Sequence, residues 1–487
     1  MGKETDMSNG SEDIFKTIFN PKSIAVFGAS SNEIKSGSRY LKALIDSGYP
    51  GRLYPINLKD KKVLGLEAYA SIKDCPEPVD YAMFCVPAHF VPDLVEECGQ
   101  NGVKAMQLFT AGFKETGEAE GIALEEKMVR IARRHGIRII GPNCIGIYCP
   151  ENRIPYGMGL SPMEPGDIGV LSQSGGHAGR IIMGGFLQGL RFSKVISYGN
   201  GCDLNAVDFL KFFESDRQTK VIGAYLEGME DVRPFFVLTK RISRGKPIVI
   251  WKGGQTEQGS KTLLSHTGSL AGSFRLWEQG MKQSGAVMVS DFEELSDTLL
   301  TFSNIPYVKG NRVVMITGLM GGGGGISVAG TDTCVQEGLD MIDLSPALQE
   351  SIVSLLPRKA GTILKNPIDM GSAMSLSVLR QIIDLVIRET ACHMILIQEP
   401  FERLIDFFGQ ESFLSFFTEL LDLGEETKIP VPLIWPPESS LPAGISFRLE
   451  LIKKGLTVYA SPRRAARAIS NVIQYNKRIS EGNEVHP

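Results

Sequence analysis

Three times along the chain a short apolar run ends in a glycine-rich turn that opens a longer amphipathic segment. KSIAVFGASS occupies 22–31, GDIGVLSQSGG occupies 166–176 and NRVVMITGLMGGGGG occupies 311–325. Short, continuous, β-branched runs alternating with amphipathic stretches predict parallel sheets with crossover helices. The three openings predict a polar leader over 1–20 and three α/β units over 21–149, 150–306 and 307–487.

The same pattern continues inside each unit. The first adds GRLYPIN, VDYAMFCVP, VKAMQLFTAGF and GIRIIGPNCIG as strands, with helical stretches at 91–101 and 121–135. The second adds FSKVISYGN, TKVIGAYLEG and KPIVIWKGG. The third adds ACHMILIQEP and IPVPLIWPPE, followed by GLTVYASPRRAARAI. Each strand ends in small or turn-forming residues, and open α/β sheets bind ligands at those carboxyl ends.

Composition narrows the class. A chain of 487 residues carries roughly three domains. Its 43% hydrophobic and 22% charged residues are those of an ordinary globular protein. The formal charge of -4 gives no support for a nucleic-acid or membrane-surface partner, which would bring a basic bias. No apolar run approaches the ~18 residues of a membrane span. Eight scattered cysteines without a C-x-x-C pair speak against zinc and thioredoxin-type sites and fit a reducing cytoplasm. The start, MGKETDMSNGSED, lacks the basic-then-apolar order of a signal peptide and is expected to be loose. Asp6 stands where myristoylation would want Ser or Thr.

The turns carry the candidate chemistry. In VFGASS, Gly28, Ala29 and Ser30 follow a strand, and such a turn lets backbone amides approach a phosphate. It also fits an unliganded strand–helix turn, because no full G-x-G-x-x-G is present. No acidic residue follows GRLYPIN to hold an NAD ribose. Asn57 and Lys59 stand there instead, and they favour a nucleotide with extra phosphate such as coenzyme A. In LSQSGGHAG, Ser172, Ser174, Gly175 and Gly176 could make an anion site or a capped helix start. His177 in this turn reads as a solvent-exposed residue. The run Gly321 to Gly325 suits a flexible or anion-binding loop, but no Lys-Ser/Thr follows, so it is not a P-loop.

KTLLSHTGSLAG, at 261–272, surrounds one imidazole, His266, with hydroxyls and glycines. It follows a strand end and reads as a loop. A metal ligand there would need partners at a matching spacing, and none is visible. A serine hydrolase would want G-x-S-x-G. A phosphorylated histidine needs a phosphate cradle and a carboxylate to orient the ring. Glu227, at the end of a strand in the same unit, is placed to be that carboxylate.

KSIAVFGAS, GRLYPIN, VDYAMFCVPA, AGFKETGE, RIIGPNCIGI, LSQSGG, YLEG and KGGQTEQGSKTLLSHTGSLAG occur in this order. Together they resemble the alpha subunit or alpha half of the NDP-forming acyl-CoA synthetases, relatives of the succinyl-CoA synthetase alpha subunit. The likeness runs from Pro21 onward, is very specific to about Ser296, and continues more loosely with KNPIDM at 365–370. It implies a Rossmann-like CoA-binding domain followed by two flavodoxin-like α/β domains. It implies a reversible reaction in which acyl-CoA and inorganic phosphate give acyl phosphate and CoA. The phosphoryl group then passes to a histidine and on to ADP or GDP.

By position, His266 matches the phosphohistidine and Glu227 the carboxylate that holds it. Ser172, Ser174, Gly175 and Gly176 match the phosphate site. Gly28, Ala29, Ser30, Asn57, Lys59, Val86, Pro87, Ala111 and Gly112 match the CoA-binding edge. Pro142, Asn143 and Cys144 match the junction near the thioester, with Ile145, Tyr156 and Met158 expected to shape an acyl pocket. The turn SQSGGHAG departs from the usual S-Q-S-G-A-L-G by His177, and TGLMGGGGG departs from a shorter T-N-A-G-G turn.

The three units account for the length without an ATP-grasp domain. The likeness therefore implies a beta-type ATP-grasp partner, a heterotetramer, and ADP or ATP with Mg2+ bound in the partner. The substrate would be a small carboxylic acid or its acyl-CoA. Two other classes compete: a non-catalytic CoA-binding scaffold, which would not need His266 with Glu227, and an NAD dehydrogenase, which would need the missing acidic residue.

Overall fold

Five apolar runs without polar alternation form the first sheet of the computed structural model, which describes residues 8–267, 274–321, 323–356, 364–436 and 442–483. The strands lie in the order Arg52–Ile56, Ser23–Phe27, Tyr81–Phe84, Ala105–Leu108, Arg138–Ile140, all parallel. Both faces are covered, so every residue of Ser23–Phe27 and Tyr81–Phe84 is buried. Phe27 and Phe84 stack at 4.6 Å on adjacent strands. The chain turns direction between Ser23–Phe27 and Tyr81–Phe84, which is the switch point where doubly wound sheets open a crevice.

The second sheet repeats that winding. Its order is Val287–Val289, Ile248–Lys252, Val221–Leu226, Pro165–Ser172, Phe192–Ser197, Gly146–Tyr148. Only Gly146–Tyr148 runs antiparallel. The expected division at 150 thus falls after the chain has already joined the second sheet, because the turn at 141–145 delivers it straight onto that sheet's edge. The third sheet has the order Asp340–Met341, Arg312–Thr317, Met394–Gln398, Leu433–Ile434, Val458–Tyr459, with Ile368–Asp369 paired to the end of Arg312–Thr317. The expected fold class, parallel α/β layers, holds for all three sheets.

Contacts gather these sheets into two compact units. One comprises Met1–Phe186 with Leu190–Ser290, and the other Leu187–Gly189 with Asp291–Pro487. The first unit holds the first two sheets, and the second holds the third.

The expected loose leader is corrected in part. Residues 1–7 lie outside the described residues, but Ser8–Phe19 is a helix. Phe15, Ile18 and Phe19 share one helical face and are buried, and Phe15 stacks on Phe212 at 4.7 Å. The polar start masked this apolar face. Among the described residues no helix is long and apolar enough to cross a membrane.

Candidate functional site

Within the first unit, a cavity of about 690 Å³ opens where the carboxyl ends of the first sheet meet the start of the helix Gly175–Gln188. Val86, Pro87, Ala111, Asn143 and Cys144 line it from the first sheet. Ser174, Gly175, Gly176 and Glu227 line it from the second. Residues expected to meet CoA and residues expected to meet phosphate therefore share one cavity.

The first-sheet edge is built by close packing. Gly28 has φ +88, and a Cβ there would run into the Cys85 carbonyl oxygen. Only glycine lets the turn sit against the neighbouring strand end. Gly37 presses the helix Ser36–Asp46 onto the same turn: a Cβ on it would lie 2.5 Å from the Gly28 carbonyl carbon and 2.6 Å from the Ala29 nitrogen. It does the work of a fingerprint glycine from nine residues beyond Gly28.

Ser30 and Asn57, also expected at the CoA edge, are tied into hydrogen bonds within the protein. The Ser30 amide donates to Ser38 Oγ at 2.9 Å, and Ser38 Oγ donates back to the Ser30 carbonyl at 2.8 Å. Asn57 Nδ2 donates to the Ala29 carbonyl at 2.7 Å, and its Oδ1 accepts from the amides of Lys59 and Asp60. Asn57 thus ties two loops together. Lys59 is exposed. Gly28, Ala29, Ser30, Asn57, Lys59, Gly112 and Ser172 are not in the cavity lining; they support or flank it.

The junction turn is tightly held. Gly141–Pro142 is cis, and Asn143 has φ 55. The Asn143 amide donates to the Thr110 carbonyl at 2.9 Å. Gly199, at φ +52, presses its backbone against the Pro142 and Asn143 carbonyls, where a Cβ would not fit. Beside it, Asn200 Nδ2 donates to Glu115 Oε2 at 2.6 Å and to Glu125 Oε2 at 2.9 Å. Burial pushes the Glu125 carboxyl up, with the Asn200 bond opposing it. Burial also pushes the Cys144 thiol up to about 12, so it is neutral at ordinary pH.

The second-sheet side presents a helix start. Ser172 is fully buried, and its Oγ donates to the Ser174 carbonyl at 2.8 Å. Ser172 therefore shapes the turn from behind. Ser174 Oγ accepts from the His177 amide at 3.3 Å and lies 3.0 Å from His177 Nδ1. Tyr156, expected to shape an acyl pocket, is buried and donates from its hydroxyl to the Gly175 carbonyl at 2.8 Å, outside the cavity lining. Met158 also lies outside that lining, whereas Ile145 is part of it.

His177 is not the exposed residue expected. Its ring is half-buried, stacked on Tyr225 at 4.2 Å and set edge-on to Trp251 at 4.7 Å. Two strand-end aromatics hold it, a relationship no local pattern displays.

Glu227 is buried at the end of Val221–Leu226. Gln173 Oε1 accepts from its amide at 2.5 Å and from that of Gly228 at 3.0 Å. The Tyr225 phenol is pushed up by burial and by the nearby Glu227 carboxylate. Lys252, Gln173, Asn200, Gly199 and Thr110 were not singled out from sequence. YGNG and SQSG flag three of these positions, Gly199, Asn200 and Gln173, only as turns.

The backbone of His266 falls in the last turn of the helix Glu257–Thr267, not in the expected loop. Thr256 Oγ1 accepts from the Gly259 amide at 3.0 Å, which starts that helix, and KTLL suits its continuation. The His266 side chain, and 268–273, lie outside the described residues.

In the second unit the glycine run is also corrected. Gly322 lies outside the described residues, and Gly323 opens the helix Gly323–Gln336. Its turn already holds a carboxyl: Glu399 Oε1 accepts from the Leu319 amide at 2.7 Å. Burial pushes Glu399 up to about 8, and the Asp369 carboxylate adds to the rise. The Leu319 amide is thus already partnered, and the Asp369 carboxylate against the turn works against an anion there.

Known proteins match this arrangement. The CoA binding domain model matches residues 22–150, and the model of the succinyl-CoA ligase like flavodoxin domain matches 165–302. The alpha subunit of acetate–CoA ligase [ADP-forming] I from Pyrococcus furiosus is 35% identical over 95% of this chain and 98% of its own. Acetate–CoA ligase [ADP-forming] from Methanocaldococcus jannaschii is 38% identical over 73% of this chain but 49% of its own, so this chain spans about half of that protein. The dinucleotide forming acetyl-coenzyme A synthetase 1 from Ca. Korarchaeum cryptofilum, solved with phosphate and ADP, superposes with a TM-score of 0.82, 30% identity, and coverage of 97% and 99%. A parallel α/β CoA-binding domain joined to a succinyl-CoA ligase-like domain defines a class of acid–CoA ligases. Within it, the chain belongs to the ADP-forming acyl-CoA ligases, as an alpha-type chain.

Proposed function

We propose that this chain performs the acyl-phosphate and phosphohistidine steps of an ADP-forming acid–CoA ligase. CoA lies along the carboxyl edge of the first sheet, at Gly28, Val86, Pro87, Ala111 and Gly112. Its thioester reaches the turn of Asn143 and Cys144. Inorganic phosphate sits at Ser174, Gly175 and Gly176, where helix-start amides and a hydroxyl meet its charge. A phosphate oxygen attacks the thioester carbonyl carbon, the C–S bond breaks, and CoA leaves as acyl phosphate forms. An imidazole nitrogen of His266 then takes the phosphoryl group from the acyl phosphate and releases the carboxylate. Glu227 holds that imidazole.

The observation that carries this reading is the single cavity lined by both sets of residues. ADP and Mg2+ would be held by an ATP-grasp partner chain, in a heterotetramer with two copies of each. The named relatives make acetate the first acid to test. Cytoplasmic chemistry fits the buried, neutral thiols.

The test is radiolabelled inorganic phosphate given with acetyl-CoA and a panel of other acyl-CoAs, with and without the partner chain. Acid-labile, base-stable label that requires an acyl-CoA and is lost in His266→Ala supports the reading. Label that persists in His266→Ala overturns the assignment of that residue.

A further inference from the structure

We propose that His177 is a positioning residue of the phosphate site, fixing the Ser174 hydroxyl through Nδ1 and tying it to Tyr225 through its ring plane. The inference rests on the phosphate role proposed for Ser174.

Three observations meet at this side chain. Nδ1 lies 3.0 Å from Ser174 Oγ, and the His177 amide donates to the same oxygen at 3.3 Å. The ring is nearly parallel to Tyr225, with an interplanar angle of 10°, and meets Trp251 at 76°. The Tyr225 phenol in turn lies close enough to the Glu227 carboxylate for that charge, after burial, to raise it. One ring therefore joins the hydroxyl on the phosphate side of the cavity to a phenol that feels the carboxylate on the other.

The chemistry follows from the proton inventory. Burial, and then the Arg180 guanidinium on the same helix, hold the imidazole below its ordinary value, so it is neutral at pH 7. A neutral ring has one N–H. With Nδ1–H donating to Ser174 Oγ, both bonds from His177 arrive as donors, and the hydroxyl keeps its own proton for an anion oxygen. The stack on Tyr225 sets the ring plane and thus the direction of that N–H. A serine without this partner would rotate among rotamers and lose part of its hold on phosphate.

The test compares two variants of the full chain, assayed with its nucleotide-binding partner, acetyl-CoA, ADP and varied inorganic phosphate. His177→Phe keeps the ring and loses the polar atom. His177→Asn places an amide where Nδ1 was and loses the ring. We expect His177→Phe to raise the half-saturating phosphate concentration about tenfold, with the acetyl-CoA value unchanged. We expect His177→Asn to recover most of that loss. His177→Phe with wild-type phosphate saturation, or a loss in both variants with no recovery in His177→Asn, overturns the proposal. Ser174→Ala separates it from the reading beneath. If Ser174→Ala leaves phosphate saturation unchanged, the phosphate-site reading fails and takes this inference with it. If Ser174→Ala is impaired while His177→Phe is not, only this inference fails.

Discussion

Lys252 donates its buried ammonium group to the main-chain carbonyl of Glu227 at 2.6 Å, and to that of Gly253 at the same distance. The two carbonyls belong to neighbouring strand ends, one carrying the candidate carboxylate and the other leading to the His266 segment. The side chain packs over Trp277, 5.7 Å from the ring centroid. Lys252 is therefore a clamp between the two elements that have to meet.

This clamp has a pH signature. Burial lowers the Lys252 ammonium from its ordinary 10.5 to about 8, and the Glu227 carboxylate opposes the shift only in part. The unfolded chain then binds one more proton than the folded chain between about pH 8 and 10.5. Stability from this group rises with pH across that window, because a neutral amine still donates to both carbonyls. Lys252→Met removes the donor to one buried and one part-buried carbonyl, at about 1–3 kcal/mol each. We expect a lower urea midpoint for Lys252→Met at pH 7.5, and a larger gap from wild type at pH 10. A gap that stays constant between these pH values would show that Lys252 keeps its ordinary proton affinity.

Gly28 and Gly65 separate backbone strain from collision. Both have positive φ, +88 and +83, but a Cβ on Gly65 meets nothing within 4 Å. Gly65→Ala should cost only the left-handed conformation, about 1–2 kcal/mol. Gly28→Ala adds overpacking against the Cys85 carbonyl, about 1–3 kcal/mol more. It should also weaken CoA binding in calorimetry, while Gly65→Ala should not. Equal effects in the two variants would contradict the close approach at Gly28.

These glycines show what a linear reading can reach. The strands were legible because a buried parallel strand is a continuous apolar run, and their ends pointed to Ser174 and Glu227, whereas Val86, Ala111 and Asn143 came from the family resemblance. Gly37 was missed because its role depends on helix-to-turn packing nine residues beyond Gly28. His177 was misjudged because its partners, Tyr225 and Trp251, lie 48 and 74 positions away in sequence. The fixed spacing of a motif reports local backbone; a ring stack between strand ends does not leave one.

The cysteines near the cavity should be chemically quiet. Burial pushes both Cys144 and Cys85 up to about 12. Their thiolates are scarce at pH 8, and the thiolate is the reactive form. Iodoacetamide at pH 8 should leave both unmodified in the native chain and label both in urea, read by peptide mass spectrometry. The same shifts set an alkaline limit. The folded thiols stay protonated after unfolded ones ionise near 9, so their contribution to stability is present below that pH and is lost as pH rises toward about 12. Rapid native labelling of Cys144 would mark it as a reactive thiol and reopen its role at the thioester junction.

Asn200 makes the last case, because it stands between two carboxylates that would otherwise oppose each other. One amide group donates to Glu115 at 2.6 Å and to Glu125 at 2.9 Å, and Glu115 also accepts from the Gly112 amide at 2.6 Å. The network joins the strand end at Ala111 to the turn at Gly199, on two sides of the cavity. Asn200→Leu removes the largest interaction that favours ionised Glu125 and leaves only the Lys114 amide and charge against burial, so the Glu125 carboxyl should rise further. A carboxyl raised in the folded state stabilises fully below its unfolded value and loses that contribution as pH climbs through its folded value. The variant should therefore lose little stability at pH 4 and about 1–3 kcal/mol at pH 7.5. Half-saturation by acyl-CoA should worsen at pH 7.5, since Gly112 and Ala111 are held through Glu115. Denaturant midpoints at the two pH values check the first part and acyl-CoA titration the second. A uniform loss at both pH values would mean that packing, not the shared amide, is what Asn200 contributes.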